Sequence, residues 1–274
     1  MNEFRADLHC HTICSDGSLS PTELLEHAKK IGLSGLSITD HDTVAAYKEA
    51  IPVARRLGLL LGSGVEFSSM WEGMSVHVLG YDIDLKSSPL LELCVRHIER
   101  RRDRNRAILK KLHDRGYELS VEELEKKMVG ARPIGRPHIA LALIEKGYVS
   151  TVQEAFDKLL GDKAPCFDPG SPITTDETIE VIHAAGGKAF IAHPHVIREK
   201  ERIQMLLEKP FDGIEVYYSK FLPHQEKRWE KCAKKRCLLM SGGSDFHGEV
   251  KPSVPLGASW VDQKTFEQIF QKRL

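Results

Sequence analysis

The chain has 274 residues, equal numbers of cationic (39 Lys and Arg) and anionic (39 Asp and Glu) side chains, and 41% hydrophobic residues. That length suffices for one large domain or two small ones, each with a buried core. Zero net charge argues against a protein held to nucleic acid or membrane by overall charge, and the composition is that of a globular chain, not a disordered one.

Residues Met1 to Asp7 carry no basic-then-apolar leader, and no apolar run approaches the roughly 18 residues of a membrane span. Cys10, Cys14, Cys94, Cys166, Cys232 and Cys237 are scattered without a Cys-x-x-Cys pair. A cytoplasmic protein with reduced thiols is expected, and no feature points to a membrane or to a stable protein partner.

Short β-rich runs alternate with helical patterns. The runs are Phe4–Leu8, Leu36–Thr39, Leu59–Val65, Ser75–Gly80, Lys188–Ala192, Gly213–Tyr217, Leu238–Ser241 and Gly257–Val261. Ser20-Pro21-Thr22-Glu23 has the form of a capping box with proline in the first turn, followed by an apolar face of Leu24, Leu25, Ala28 and Ile31 and a stop at Gly32. Thr174-Thr175-Asp176-Glu177 repeats the pattern ahead of Ile179, Ile182 and Ala185. Strand–helix alternation of this kind predicts a parallel α/β fold, and seven or eight units fit a barrel better than an open sheet.

One stretch breaks the alternation. From about Pro89 to Pro165 the pattern is helical throughout, over Leu90–Arg115, Val121–Met128, Pro137–Lys146 and Val152–Leu160, with caps at Ser120-x-x-Glu123 and Ser150-x-x-Gln153. The expected organisation is a catalytic barrel of residues 1–88 and 166–274, with residues 89–165 as an all-helical insertion capping its site.

The 13 histidines matter for where they fall. Asp7-Leu8-His9-Cys10-His11-Thr12 follows the first strand, with Ser15-Asp16-Gly17 beyond it. Thr39-Asp40-His41-Asp42, Val65-Glu66-Phe67, Ala192-His193-Pro194-His195 and Ser244-Asp245-Phe246-His247 close later strands, and His77 lies within one. Residues i and i+2 of a strand point to one side, so His9 and His11 converge, as do Asp245 and His247 if their segment is extended. The C-terminal strand ends of an α/β barrel share one rim, which gathers these clusters into one site.

Each cluster alone has an ordinary explanation: Ser-Asp-Gly is a common turn, Asp40 suits a helix N-cap, and Glu66 could be a surface ion pair. Their joint recurrence at strand ends points instead to metal. Imidazole with carboxylate and no required thiolate suits Mn²⁺, Fe²⁺ or Zn²⁺, and the number of donors calls for two or three ions. His27, His97, His113, His183 and His224 lie on helical patterns and read as surface or half-buried residues. His195 has no assigned role.

Asp7-x-His9-x-His11-Thr12, Ser15-Asp16-Gly17, Thr39-Asp40-His41-Asp42, Gly64-Val65-Glu66, Ala192-His193-Pro194 and Ser244-Asp245-x-His247 together resemble the PHP family (polymerase and histidinol phosphatase) of metal-dependent phosphoesterases. The resemblance runs in order from Leu8 to His247 and implies a distorted (β/α)7 TIM-like barrel. Within the family the chain looks most like small free-standing members that carry a helical insertion and act on nucleotides, a subgroup to which Gly135-Arg136-Pro137-His138-Ile139-Ala140 is similar.

The resemblance implies that His9, His11, Glu66 and Asp245 hold one metal, that Glu66, His77 and His193 hold a second, and that Asp16, His41 and His247 hold a third. It implies manganese first, with iron or zinc as alternatives, and attack on phosphorus by a metal-bound hydroxide, with Asp40 behind the ligands. Arg136 and His138 are candidate phosphate contacts, because arginine binds phosphate bidentately; the plainer reading is a helix start. The run from Arg100 to Arg106 reads first as a solvated helix face and second as an electropositive wall over the metals.

The implied reaction is hydrolysis of a nucleoside 3′,5′-bisphosphate to the 5′-monophosphate and phosphate. Alternatives are a 5′→3′ exonuclease on RNA or short oligonucleotides, a histidinol-phosphate phosphatase, and a non-catalytic metal-binding module. The expected partner is a nucleotide or short oligonucleotide.

Overall fold

In a computed structural model, which describes residues 3–126, 134–161, 163–168, 170–197, 200–271 and 274, the first helix starts where its residue types require. Ser20 and Glu23 form a reciprocal capping box at the head of α1 (Pro21–Lys30), which buries Leu24, Leu25 and Ala28. Such a cap stabilises a helix by about 1 kcal/mol. Thr174 caps its helix in the same way, accepting from the Glu177 amide.

The chain divides into two units, residues 1–94 with 173–274, and residues 95–172. In the first, β1 (Ala6–Cys10), β2 (Gly35–Ile38) and β3 (Leu60–Gly62) form a parallel sheet, with α1 and α2 (Tyr47–Leu57) between its strands. A second sheet holds β4 (Gly64–Trp71), β5 (Met74–Tyr81), β6 (Lys188–Ile191), β7 (Gly213–Tyr218) and β8 (Leu239–Gly243) in that order. Isolated bridges join the two sheets at Cys10–Phe246 and at His41–Glu66.

The α/β class holds, but the strands are not one parallel ladder. β5 runs antiparallel to both β4 and β6, and only β6, β7 and β8 are mutually parallel in that sheet. The cause is local: Glu72 and Gly73 both take positive φ, 46° and 76°, the geometry of a tight two-residue hairpin turn. The expected run Leu59–Val65 is broken into β3 and β4 around Ser63, whose Oγ donates to the Ile83 carbonyl at 2.8 Å. The expected strand Gly257–Val261 amounts to one bridge, Ala6 with Val261.

In the second unit, the long helix α3 (Ser88–His113) continues from residue 95 and is followed by α4 (Val121–Lys126), α5 (Arg136–Glu145) and α6 (Val152–Ala155), which runs on as a π-helical turn over Phe156–Leu160. Ile108, Leu112, Ile139, Leu143 and Leu160 form its core. Ser120 and Glu123 cap α4 as expected, and Met128 lies outside the described residues. The cap of α6 is Thr151, not Ser150: its hydroxyl accepts from Glu154 N at 3.0 Å. In the first unit, α7 (Thr175–Ala184), α8 (Lys200–Leu206), α9 (Pro223–Arg236) and α10 (Gln263–Ile269) complete the helices. Among the described residues, no helix is long and apolar enough to cross a membrane.

Candidate metal centre

Every strand end named from the sequence meets at one place in the first unit, and Glu66 is its hub. Glu66 Oε1 lies 2.8 Å from His77 Nδ1 and 2.9 Å from His193 Nε2. Its other oxygen, Oε2, lies 3.1 Å from Nε2 of both His9 and His11 and 3.3 Å from His41 Nδ1. One buried carboxylate therefore faces five imidazoles, two from one oxygen and three from the other. Glu66 is the third residue of β4 and not its end.

Around this hub the donors form three overlapping groups whose ligand atoms lie within 4.8 Å of one another: His9, His11, Glu66 and Asp245; His11, Asp16, His41 and His247; and His41, Glu66 and His77. The first contains the four residues expected together. The second adds His11 to the expected Asp16, His41 and His247. In the third, His41 accompanies Glu66 and His77, while His193 touches the same Glu66 oxygen as His77.

The backbone that presents these side chains is itself held by buried carboxylates. Asp7 in β1 accepts from Ser244 N at 2.9 Å, Ser244 Oγ at 2.6 Å and Gly257 N at 2.9 Å, tying the segment after β8 to β1. Gly243 permits this approach, since a Cβ there would run into the backbone nitrogen of His9. Asp40 accepts from Thr12 N at 2.7 Å and from the hydroxyls of Thr12 and Ser15 at 2.6 Å each, which fixes the turn carrying Asp16. It is a loop clamp and not a helix cap. Burial raises the carboxyl pKa of both Asp7 and Asp40, against the hydrogen bonds that lower it.

Asp245 and His247 converge, though not by lying extended. Asp245 has φ 58°, in the left-handed region, with its amide donating to the His9 carbonyl at 2.7 Å. His193 and Asp42 also take positive φ, 27° and 59°. Strained backbone of this kind costs about 1–3 kcal/mol per residue and persists where the surroundings over-determine it, commonly at functional sites.

The charge state follows from burial against pairing. Burial lowers the proton affinity of His11, but Asp245, Glu66 and Asp16 outweigh it and raise the pKa to about 9. His9 moves the same way because Glu215 and Glu66 flank it. Burial opposes ionisation of Glu66, yet His41, His9 and His77 hold its carboxyl well below the usual range. His41, for which burial prevails, drops to about 3.

The residues fit cations. Nε2 of His11 and Nδ1 of His41 are sealed from solvent and make no hydrogen bond of normal geometry, although Glu66 Oε2 is 3.1 and 3.3 Å away. Ring nitrogens that converge on one carboxylate, and become lone-pair donors on losing their protons, are the arrangement a metal ion satisfies. In His9 and His247 the Nδ1 atom is anchored, as the outer ring nitrogen of a metal-ligating histidine commonly is: Glu215 lies 2.8 Å from His9 Nδ1, and the Asp245 carbonyl 2.9 Å from His247 Nδ1.

Comparison with known proteins agrees with this geometry. The PHP domain model matches residues 7–162. The chain belongs to the PHP family. It is 33% identical over 258 residues to a protein of Escherichia coli named 5′-3′ exoribonuclease Rnm, covering 92% of this chain and 87% of the relative. It is 30% identical over 247 residues to a 3′,5′-nucleoside bisphosphate phosphatase of Chromobacterium violaceum, covering 88% of this chain and 86% of the relative. A crystal structure described as a metal-dependent phosphoesterase from Bifidobacterium adolescentis superposes with a TM-score of 0.87 at 32% identity, covering 96% of this chain and 94% of that one. This PHP chain is a metal-dependent phosphoesterase.

Three residues beside the candidate metal centre, Glu215, Tyr218 and Lys251, were missed in the sequence. Glu215 is wholly buried in β7 between Ile214 and Val216, and it also accepts from His193 N at 2.6 Å. A carboxylate inside an apolar strand run was the available signal, because a buried charge requires partners. Tyr218 donates to Asp245 Oδ2 at 2.7 Å, and Lys251 Nζ lies 2.9 Å from the same oxygen. His195 packs against Tyr218 and Phe221, tilted by 40° to the first ring and edge-on to the second, with ring centroids 4.9 and 5.0 Å away.

The second unit, described by itself, holds the other candidates. Arg136 donates to the Leu160 carbonyl at 3.1 Å, with its guanidinium 5.7 Å from the Phe156 ring centroid and 5.2 Å from that of Phe167. His138 Nδ1 accepts from Gly135 N at 2.9 Å, a helix-start contact. The basic run is no uniform solvated face, since Arg101 and Arg104 are buried. His97 is buried as well, unlike the other helical histidines.

Proposed function

We propose that this chain hydrolyses phosphate esters of nucleotides, with a nucleoside 3′,5′-bisphosphate as substrate and the 5′-monophosphate and phosphate as products. The observation that carries the multi-metal part of this reading is the bridging position of Glu66, whose two oxygens face separate sets of imidazoles. The substrate is supported by likeness to the bisphosphate phosphatase over most of both chains. The bridges at Cys10–Phe246 and His41–Glu66 we read as the closure of a distorted seven-unit barrel.

In this reading His9, His11, Glu66 and Asp245 hold one ion, Glu66, His77 and His193 a second, and Asp16, His41 and His247 a third, with Mn²⁺ first among the candidates. When bound, such ions lower the pKa of water to near neutrality and neutralise charge on phosphoryl oxygens. The chain supplies the rest. Glu215 keeps the proton of His9 on Nδ1, which leaves Nε2 as a lone-pair donor. The Asp245 carbonyl does the same for His247, turning its Nε2 toward Asp16 Oδ1 at 3.4 Å. Tyr218 and Lys251 occupy Asp245 Oδ2, so Oδ1 faces the histidines. The Lys251 ammonium also places a positive charge beside the site, where a phosphate would be drawn in.

A second reading, a 5′→3′ exonuclease on RNA or short oligonucleotides, is supported by likeness to the exoribonuclease and uses the same donors on a diester. Product analysis separates the two. The purified protein with Mn²⁺ is given adenosine 3′,5′-bisphosphate and a short 5′-phosphorylated RNA in parallel. Phosphate and 5′-AMP from the first alone establish the phosphatase; mononucleotides from the RNA establish the nuclease; no product from either contradicts both.

A further inference from the structure

The chain carries no net charge, yet the segment from Lys220 to Arg236 holds seven lysines and arginines against two glutamates. The helix α9, which makes up most of it, sorts these by face. Trp229 and Ala233 are buried, Glu226 and Glu230 are half-buried, and Lys227, Arg228, Lys231, Lys234 and Lys235 are exposed. The two glutamates do not neutralise the row. Glu230 accepts from the Tyr217 hydroxyl at 3.1 Å and approaches only Lys234, at 3.6 Å. Arg236 is committed to Glu208 at 2.8 Å. Among the described residues, Lys220, Lys227, Arg228, Lys231 and Lys235 make no ion pair.

The cations in the last turn have an ordinary explanation, since they oppose the negative end of the helix dipole. Lys227 and Lys231 have none, while the Arg228 guanidinium lies over the Trp229 ring, 4.8 Å from its centroid. The three stand at i, i+3 and i+4 spacings, where like charges destabilise a helix. The row from Lys227 to Lys235 spans about 12 Å of helix axis, and it presents several positive charges in sequence, as a polyanion backbone requires.

Its position ties it to the metal centre. Tyr218, whose hydroxyl donates to Asp245 at 2.7 Å, ends β7. The chain then turns through Ser219, Lys220 and Phe221, with Phe221 N donating to the Tyr218 carbonyl at 2.8 Å and its ring 5.4 Å from that of Tyr218. Pro223 starts α9 directly after this turn. Because β7 and β8 are parallel and α9 crosses between them, the helix runs from the metal end of the sheet back along it. Lys220 is thus nearest the site, and Lys227, Lys231 and Lys235 lead away from it.

We propose that Lys220 and the exposed face of α9 form a track for the backbone of a single-stranded RNA whose terminal phosphate lies at the metal centre. This rests on the second reading of that centre, hydrolysis at the end of an oligonucleotide, and deepens it, since a track of spaced cations serves an oligonucleotide and is idle for a mononucleotide. Unpaired cations along a groove or ridge bind single strands without regard to sequence, with strong salt dependence.

The test is a K220Q/K227Q/K231Q variant beside the wild-type protein, both loaded with Mn²⁺. Anisotropy measures binding of a 3′-labelled, 5′-phosphorylated RNA decamer with hydrolysis-resistant phosphorothioate linkages, and turnover is followed on adenosine 3′,5′-bisphosphate. The expected result is RNA binding weakened at least tenfold at low salt and a log–log salt slope shallower by about 2, at roughly 0.7 per phosphate contact, with nucleotide turnover unchanged. Unchanged RNA affinity and slope would overturn the proposal. So would wild-type protein that binds anionic phosphatidylserine vesicles but not the RNA. Failure of both proteins to turn over the nucleotide would count against the bisphosphate-phosphatase reading alone, because the anisotropy reads the helix without chemistry.

Discussion

Glu215 lies 2.8 Å from Nδ1 of His9, on the side of the ring opposite Glu66, and neither residue is exposed to solvent. A carboxylate behind a ligating imidazole fixes its tautomer and raises its basicity, and losing such a partner commonly costs 10–100-fold in metal affinity. E215Q keeps the size of the side chain and removes its charge. Titration of the stripped protein with Mn²⁺ should show the tightest site weakened by about 10–100-fold, and unaltered affinity would assign Glu215 to packing alone.

Replacement of a proposed ligand should do more. H9A or D245A is expected to abolish turnover while leaving the far-ultraviolet circular dichroism of the protein intact, since both residues face the metal centre and the apolar core lies elsewhere. Near-normal turnover in either variant would sink the assignment.

Metal removal makes stability depend on pH with a defined sign. In the stripped protein, His11 binds its proton up to about 9 against a reference of 6.5, because its carboxylate neighbours outweigh burial. A raised folded pKa contributes stability that is complete below the unfolded value and lost as pH rises through the folded one. The melting temperature of chelator-treated protein should therefore fall between pH 6.5 and 9. Loading with Mn²⁺ at pH 8 should release protons and abolish the decline, because ligating imidazoles must be neutral. A stripped protein whose melting temperature rises across that window would contradict this charge balance.

Much of this site was legible because it depends on short-range rules. The two-residue period of a strand brings His9 and His11 together, and His77 lies on β5 as its pattern indicated. Asp245 and His247 were recognisable by type, but their convergence depends on a left-handed residue stabilised by a hydrogen bond to His9, a contact 236 positions away in sequence. No local pattern encodes it. The reversal at Glu72–Gly73 was present as a turn signal, yet the strands beside it read equally well as parallel. Glu215, Tyr218 and Lys251 act through partners that only the fold supplies. The burial of Arg101 and Arg104 likewise departs from what an amphipathic face of arginines suggests.

Arg136 offers a separate test in the second unit. Its guanidinium stands near two phenyl rings and donates to the Leu160 carbonyl. Cation–π contacts contribute about 0.5–1 kcal/mol each and a hydrogen bond from a charged donor about 1.5–3. R136M should therefore destabilise the protein by roughly 1–3 kcal/mol in urea unfolding. A rise in KM with stability unchanged would instead make Arg136 a substrate contact.

The most direct measurement concerns Glu66. If its two oxygens bridge separate ions, E66Q should lower bound manganese by more than one equivalent per chain in elemental analysis, relative to wild-type protein reconstituted side by side, and should lose turnover of adenosine 3′,5′-bisphosphate with it. Retention of the wild-type metal content and turnover in E66Q would contradict a multi-metal centre built on this residue.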